Sequence, residues 1–140
     1  MARGHRVAAL LQQSHHLGFQ SHAQRVHGLR DFLAQSGSGH VIAQFVEGGD
    51  DAVRSEARLR AAFADHPQAV TIYNVGAGNR GVAAALRADI LTARPVFIGH
   101  ELTQSTWGIL REGLMTLTID QNPELQAQFC PRRAAEPLRL

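Results

Sequence analysis

The sequence predicts an α/β fold: a doubly wound open parallel sheet of about five strands with helices on both faces, in the order 2-1-3-4-5. Three observations predict it. Short apolar runs of strand length alternate with longer segments whose apolar residues recur every three or four positions. Glycines and helix-capping side chains stand at most changes of period. And 140 residues, 44% of them apolar, make one domain with a core of its own.

Residues 7–11 form the first predicted strand. The next segment, 18–35, places Phe19, Ala23, Val26, Leu29, Phe32 and Leu33 on one stripe, so it is an amphipathic helix, stopped by Gly37 and Gly39. Residues 40–46 are a second strand. The turn Gly48-Gly49-Asp50-Asp51 supplies an aspartate N-cap for a helix over 52–65, which Pro67 ends. A third strand covers 70–73 and a third helix begins at 81–88. A fourth strand covers 95–98. Thr103 caps a helix to about Arg111, closed by Gly113, and 117–119 is a short fifth strand. Asn122-Pro123-Glu124 opens a last helix, with the cap and the first-turn proline in their usual places. The tail 130–140, with two Pro and three Arg, reads as irregular. No internal repeat, low-complexity tract or linker divides the chain, so 1–140 is a single unit.

Composition excludes several classes. No apolar run approaches the ~20 residues that cross a bilayer. Fourteen Lys+Arg oppose 12 Asp+Glu, a net charge of +2 with the eight His neutral. All 14 are Arg, scattered, with Arg132-Arg133 the longest run, unlike the dense stripe that grips nucleic acid. The single Cys130 excludes an internal disulfide and a cysteine-based zinc site. His15, His16 and His22 crowd one helix start without metal-ligand spacing, so no metal or cofactor is expected. No G-x-S-x-G occurs and nothing pairs a nucleophile with a base, so an enzyme is not expected. The start, Met1-Ala2-Arg3-Gly4-His5-Arg6, enters the first strand with no apolar signal region, and the expected location is cytoplasmic.

In such a sheet a ligand sits beyond the carboxyl ends of the strands. Those ends carry Ser14, His15 and His16, with Ser21 and Arg25 on the helix that follows. They also carry Glu47 and Asp50, Asn74, His100 and Glu101, and Asp120 and Gln121. Amides, carboxylates and a guanidinium can each make paired hydrogen bonds to adjacent hydroxyls, which suits a polyol or sugar. The plainer reading of each is a solvated helix arginine or a turn residue. A second reading rests on Gly76-Ala77-Gly78-Asn79-Arg80-Gly81, which has the form G-x-G-x-x-G, with Glu101 20 residues past Gly81. That matches a dinucleotide fingerprint and a nucleotide-dependent oxidoreductase. Against it, the motif sits in the third strand–helix unit, and a glycine-rich turn also serves tight packing.

Four segments in order resemble the sugar-binding fold of periplasmic binding proteins, and within it the sugar-sensing regulators of the lac-repressor family. They are Gln24-Arg25-Val26-His27-Gly28-Leu29-Arg30-Asp31-Phe32, Thr71-Ile72-Tyr73-Asn74 with Gly81-Val82-Ala83-Ala84-Ala85-Leu86, Phe97-Ile98-Gly99-His100-Glu101-Leu102-Thr103, and Leu117-Thr118-Ile119-Asp120-Gln121-Asn122-Pro123. The resemblance implies a C-terminal lobe, 1–120, followed by a crossover helix and tail, 121–140, with the DNA-binding headpiece and the opposing lobe outside the chain. It implies that Arg25, Asn74, Glu101 and Gln121 contact ligand, with Ser21 a weaker match. Glu101 stands where the family carries Asp. The loop 47–50 lacks the aromatic that often stacks on the sugar. A sugar or polyol effector and a homodimer are the implied partners, DNA only through the headpiece, and no membrane. The transport branch of the same fold, a periplasmic sugar-binding component, is the alternative setting.

Overall fold

Each predicted strand is followed by its helix in the computed structural model, which describes residues 7–12, 20–49, 51–88 and 94–129. The order is β1 (Val7–Gln12), α1 (Gln20–Gln35), β2 (Val41–Glu47), α2 (Ala52–Asp65), β3 (Ala69–Asn74), α3 (Asn79–Arg87), β4 (Val96–His100), α4 (Gln104–Arg111), β5 (Leu117–Ile119) and α5 (Pro123–Phe129). The strands form one sheet in the order β2-β1-β3-β4-β5, and every pairing is parallel. The direction in which successive strands are added reverses between β1 and β3, the place where such folds open a crevice.

Caps follow the residues that predict them. The Asp51 carboxylate accepts from the N–H groups of Val53 and Arg54, at 2.8 and 3.0 Å, and these bonds hold its carboxyl below the usual carboxylate range. Thr103 and Thr106 form a capping box on α4. Asn122 Oδ1 accepts from Leu125 N at 3.1 Å at the start of α5. Gly113 ends α4 with φ 70°, a left-handed conformation that glycine adopts without cost.

One sheet face packs against α2, α3 and α4 around Leu59, Phe63, Ile72, Val82, Phe97 and Ile109. The other meets α1 through Val26 and Val75, flanked by Leu29, Ile42 and Tyr73. Ile72 and Tyr73 are neighbours in β3 and serve opposite faces, as strand alternation requires. Ile42 and Val46 share parity, yet fall on opposite faces. A bulge explains it: Ala8 pairs with Ile42 but Leu10 pairs with Phe45, so β2 carries one extra residue there. The same device in β3, between the Val7–Ala69 and Ala9–Ile72 pairs, lets Ala69 and Ile72 both join the larger core.

The helix α1 is less covered than its stripe of apolar residues predicts. Only Val26 is buried, and Phe32 is 66% exposed. A groove of about 660 Å³ opens beside it, floored by Thr71, Tyr73, Ile98 and Ile119. α5 buries no residue, leaving Leu125 and Phe129 in solvent. The predicted irregular tail lies outside the described residues.

Candidate functional site

The carboxyl end of β3 delivers three consecutive residues to different tasks. The Tyr73 hydroxyl shares a 2.8 Å hydrogen bond with His100 Nε2. Asn74 is fully buried and spends its Nδ2 on the carbonyls of Gly76 and Ala77 and on Asn79 Oδ1, the last at 2.6 Å. The Val75 carbonyl accepts Nη1 of Arg25 at 2.6 Å. The other guanidinium nitrogen, Nη2, reaches Glu101 Oε1 at 3.3 Å. Arg25 and Glu101, 76 positions apart in sequence, therefore meet above the ends of β3 and β4.

Glu101 is one of two non-glycine residues with positive φ among the described residues, at 68°. That conformation strains a residue with a Cβ. Three bonds hold it: its N–H to the Ile119 carbonyl, and its own carbonyl accepting the hydroxyls of Thr106 and Thr118 at 2.8 and 3.3 Å. The carboxylate stays 46% exposed while the Arg25 side chain is 14% exposed. A half-open acid beside a fixed base is suited to receive a ligand hydroxyl.

His100 is buried and its pKa is pushed down to about 4, first by burial and then by the Arg25 and His22 charges nearby. It is a neutral imidazole at ordinary pH. Burial also raises the Tyr73 phenol. Below this cluster, Asn79 Nδ2 donates to the His100 carbonyl at 3.1 Å.

The sequence-predicted residues separate into groups. Arg25 and Glu101 are joined. Asn74 ends β3 beside the Val75 carbonyl that holds Arg25, but its amide nitrogen serves the turn and Asn79. Ser21 and Gln121 are exposed, and among the described residues no hydrogen bond ties either to the pair. The Gln121 carbonyl instead accepts Gln126 Nε2, and Asp120 accepts the Leu102 N–H. Glu47 is exposed at the end of β2, and Ser14, His15, His16 and Asp50 lie outside the described residues. No group of three or more metal-ligating side chains occurs among the described residues. Tyr73 and Asn79 are the two members that sequence reasoning passed over. Tyr73 precedes the strand-end Asn and Asn79 opens the next helix, positions that read as strand and cap.

A cavity of about 410 Å³ lies between the turn 76–80 and residues 100–106, with Glu101 on its wall. The last glycine of the G-x-G-x-x-G run has a packing role: a Cβ on Gly81 would stand 2.5 Å from the Ala52 carbonyl oxygen and 2.6 Å from Ser55 Cβ. That glycine is required where α3 crosses α2, whether or not a nucleotide binds.

The periplasmic binding protein domain family matches residues 2–136. No curated protein sequence matches the chain. Among solved structures, the periplasmic component of an ABC-type sugar transport system from Hahella chejuensis is 19% identical with a TM-score of 0.71, over 89% of this chain and 45% of that one. An arabinose-binding protein from Geobacillus stearothermophilus is 22% identical with a TM-score of 0.69, over 80% and 38%. An ABC transporter solute-binding protein from Burkholderia graminis, solved with D-arabinose, is 19% identical with a TM-score of 0.67, over 77% and 38%. The chain thus spans less than half the length of these structures.

Proposed function

Because the chain belongs to the periplasmic binding protein domain family, we propose that it is a ligand-binding lobe for a sugar or polyol. The observation that carries this reading is the Arg25–Glu101 pair, held at the carboxyl ends of β3 and β4. Its charges cancel, so the site favours a neutral ligand rich in hydroxyls over an anion. The guanidinium is already oriented by the Val75 carbonyl, and the exposed carboxylate can accept from adjacent hydroxyls. The ligands named for the neighbours are sugars, which supports the same class. The role is binding rather than catalysis. Asn74 contributes by fixing the floor, with Gln121 and Ser21 reaching ligand from the rim.

Two settings fit such a lobe. The sugar-binding component of a transporter is the one the solved neighbours support, since two of the three are described as transport proteins. The effector-binding lobe of a lac-repressor-family regulator rests on the four ordered sequence segments, with DNA contact left to a headpiece outside this chain. Cell fractionation separates them: recovery from the periplasm supports the first, from the cytoplasm the second. In either setting the opposing lobe supplies the other half of the ligand's hydrogen bonds, so this chain alone should bind in the millimolar range.

The test is a titration with pentoses, hexoses, NAD and NADP, followed by NMR chemical shifts. Shifts with a sugar at Arg25 and Glu101 are expected. Shifts with a dinucleotide alone would replace this reading by the oxidoreductase one. In a two-lobed protein carrying this lobe, Arg25→Ala should weaken binding by ~2–4 kcal/mol, or about 30- to 1,000-fold. Arg25→Lys should recover only part, because an ammonium cannot form the fork. A homodimer belongs to the proposal too. Exposed Phe32, Leu125 and Phe129 supply the apolar surface for it, and light scattering should find a mass near twice 15.2 kDa.

A further inference from the structure

We infer that Tyr73 and Asn79 are positioning residues for the Arg25–Glu101 pair, gripping the β4–α4 turn by the ring and the carbonyl of His100. The inference rests on the reading of that pair as the ligand-contacting centre and adds two residues to it.

An ion pair between partly exposed long side chains is weak on its own, since both chains must be frozen to make it. Here the freezing is done elsewhere. On the Arg25 side, the Val75 carbonyl takes one nitrogen at 2.6 Å. On the Glu101 side, the residue before it is held from two directions. Tyr73 and His100 share a 2.8 Å hydrogen bond with ring centroids 5.5 Å apart and planes tilted by 52°. From the other face of β3, Asn74 Nδ2 donates to Asn79 Oδ1, and Asn79 Nδ2 donates to the His100 carbonyl. Both ends of the Asn79 amide are used in this relay, so it acts through its partners rather than on a ligand. The fold keeps room for it: a Cβ on Gly99 would come within 2.8 Å of Asn79 Oδ1. Three successive residues of one strand end thus reach the pair by three routes: Tyr73 through a ring, Asn74 through a relay, and Val75 directly.

The ring route works with a neutral imidazole. The charged and titratable groups near it are Arg25 and His22 from α1, Tyr73 from β3 and Glu101 from the following turn. Protonating His100 would set a second cation beside Arg25 and compete for Glu101.

The experiment titrates D-arabinose into the 140-residue chain and into Tyr73→Phe, Asn79→Ala, Glu101→Gln and the double variant Tyr73→Phe/Glu101→Gln. Binding is read from NMR shifts, and folding from the dispersion of the same spectra. Tyr73→Phe is expected to weaken binding about fivefold, and Asn79→Ala by at least as much, about one hydrogen bond's worth. In the Glu101→Gln background Tyr73→Phe should have no further effect. A purely structural role would cost the same in both backgrounds, and that outcome, or variants that bind as the parent does, overturns the inference while leaving the proposed function in place. Absence of binding by the parent to D-arabinose and to every other pentose and hexose of the earlier titration would instead overturn the proposed function. The Arg25 guanidinium resonances then decide the positioning claim. They should be separate and protected from exchange in the parent and averaged in Tyr73→Phe and Asn79→Ala. Unchanged protection in both variants overturns it.

Discussion

Leu59, Ile72, Val82 and Phe97 are fully enclosed on one face of the sheet, while on the other Phe32 keeps 66% of its surface in water. The first face is closed by three helices, the second by α1 beside an open groove. Residues with chemistry follow the same division. Arg25 and Tyr73 belong to the thin face, and its lighter packing leaves a guanidinium and a phenol free to be aimed. The thick face supplies stability, and its buried polar atoms, such as those of Asn79, serve to brace the strand ends.

The sharpest way to break this comparison is to truncate one aromatic on each face. Phe97→Ala should cost ~3–5 kcal/mol, since its surroundings relax only partly around the void. Phe32→Ala should stay within about 1 kcal/mol. Urea denaturation reads both, and equal losses would dissolve the distinction.

Acid probes the seam between the faces. The folded chain holds His100 at about 4 against an ordinary 6.5, so between those values the unfolded chain carries a proton that the folded one refuses. Stability from this group is therefore full above pH 6.5 and is lost as pH falls toward 4, by about 3 kcal/mol in all. A His100→Asn variant should lose this part of the acid sensitivity while keeping the carboxylates' share, and matched unfolding curves at several pH values would show it.

Two helix glycines sharpen the contrast at lower cost. Gly81→Ala drives a Cβ into Ala52 and Ser55 between α3 and α2, and about 1–3 kcal/mol of destabilisation is expected. Gly28→Ala in α1 meets nothing within 4 Å and should stabilise by about 0.5–1 kcal/mol. Thermal melts of the pair should move in opposite directions.

Strand and helix periods, and the residues that cap them, make the element order legible in the sequence itself. Asp51, Thr103, Asn122 and Gly113 each act through local bonds, and local bonds are what a sequence displays. The meeting of Arg25 and Glu101 is legible for a related reason: the fold class places Glu101 at the carboxyl end of a strand and Arg25 in the first turns of the helix that follows another, at the same end of the sheet. The bulges are not, because an extra residue in β2 shows only against the partner strand. Nor is the relay through Asn79, which depends on how closely β4 passes at Gly99. The half-bare α1 is hidden too, since a hydrophobic stripe states what a helix can bury and says nothing of what arrives to cover it.

The interior place of β1, between β2 and β3, has a consequence for synthesis. Its first residue, Val7, pairs with Val41 on one side and with Ala69, 62 positions later, on the other. By contrast, Thr71 finds Val96 and Ile98 finds Leu117 across short crossovers. On a ribosome adding about 5–20 residues per second, β1 and β2 emerge before β3 and wait about 1–5 seconds before β3 can close the second edge. During that interval the nascent sheet offers an unpaired parallel edge to any neighbouring chain. Slowing translation within α2 should therefore raise the yield of aggregated chain, whereas a pause after β3 should spare it.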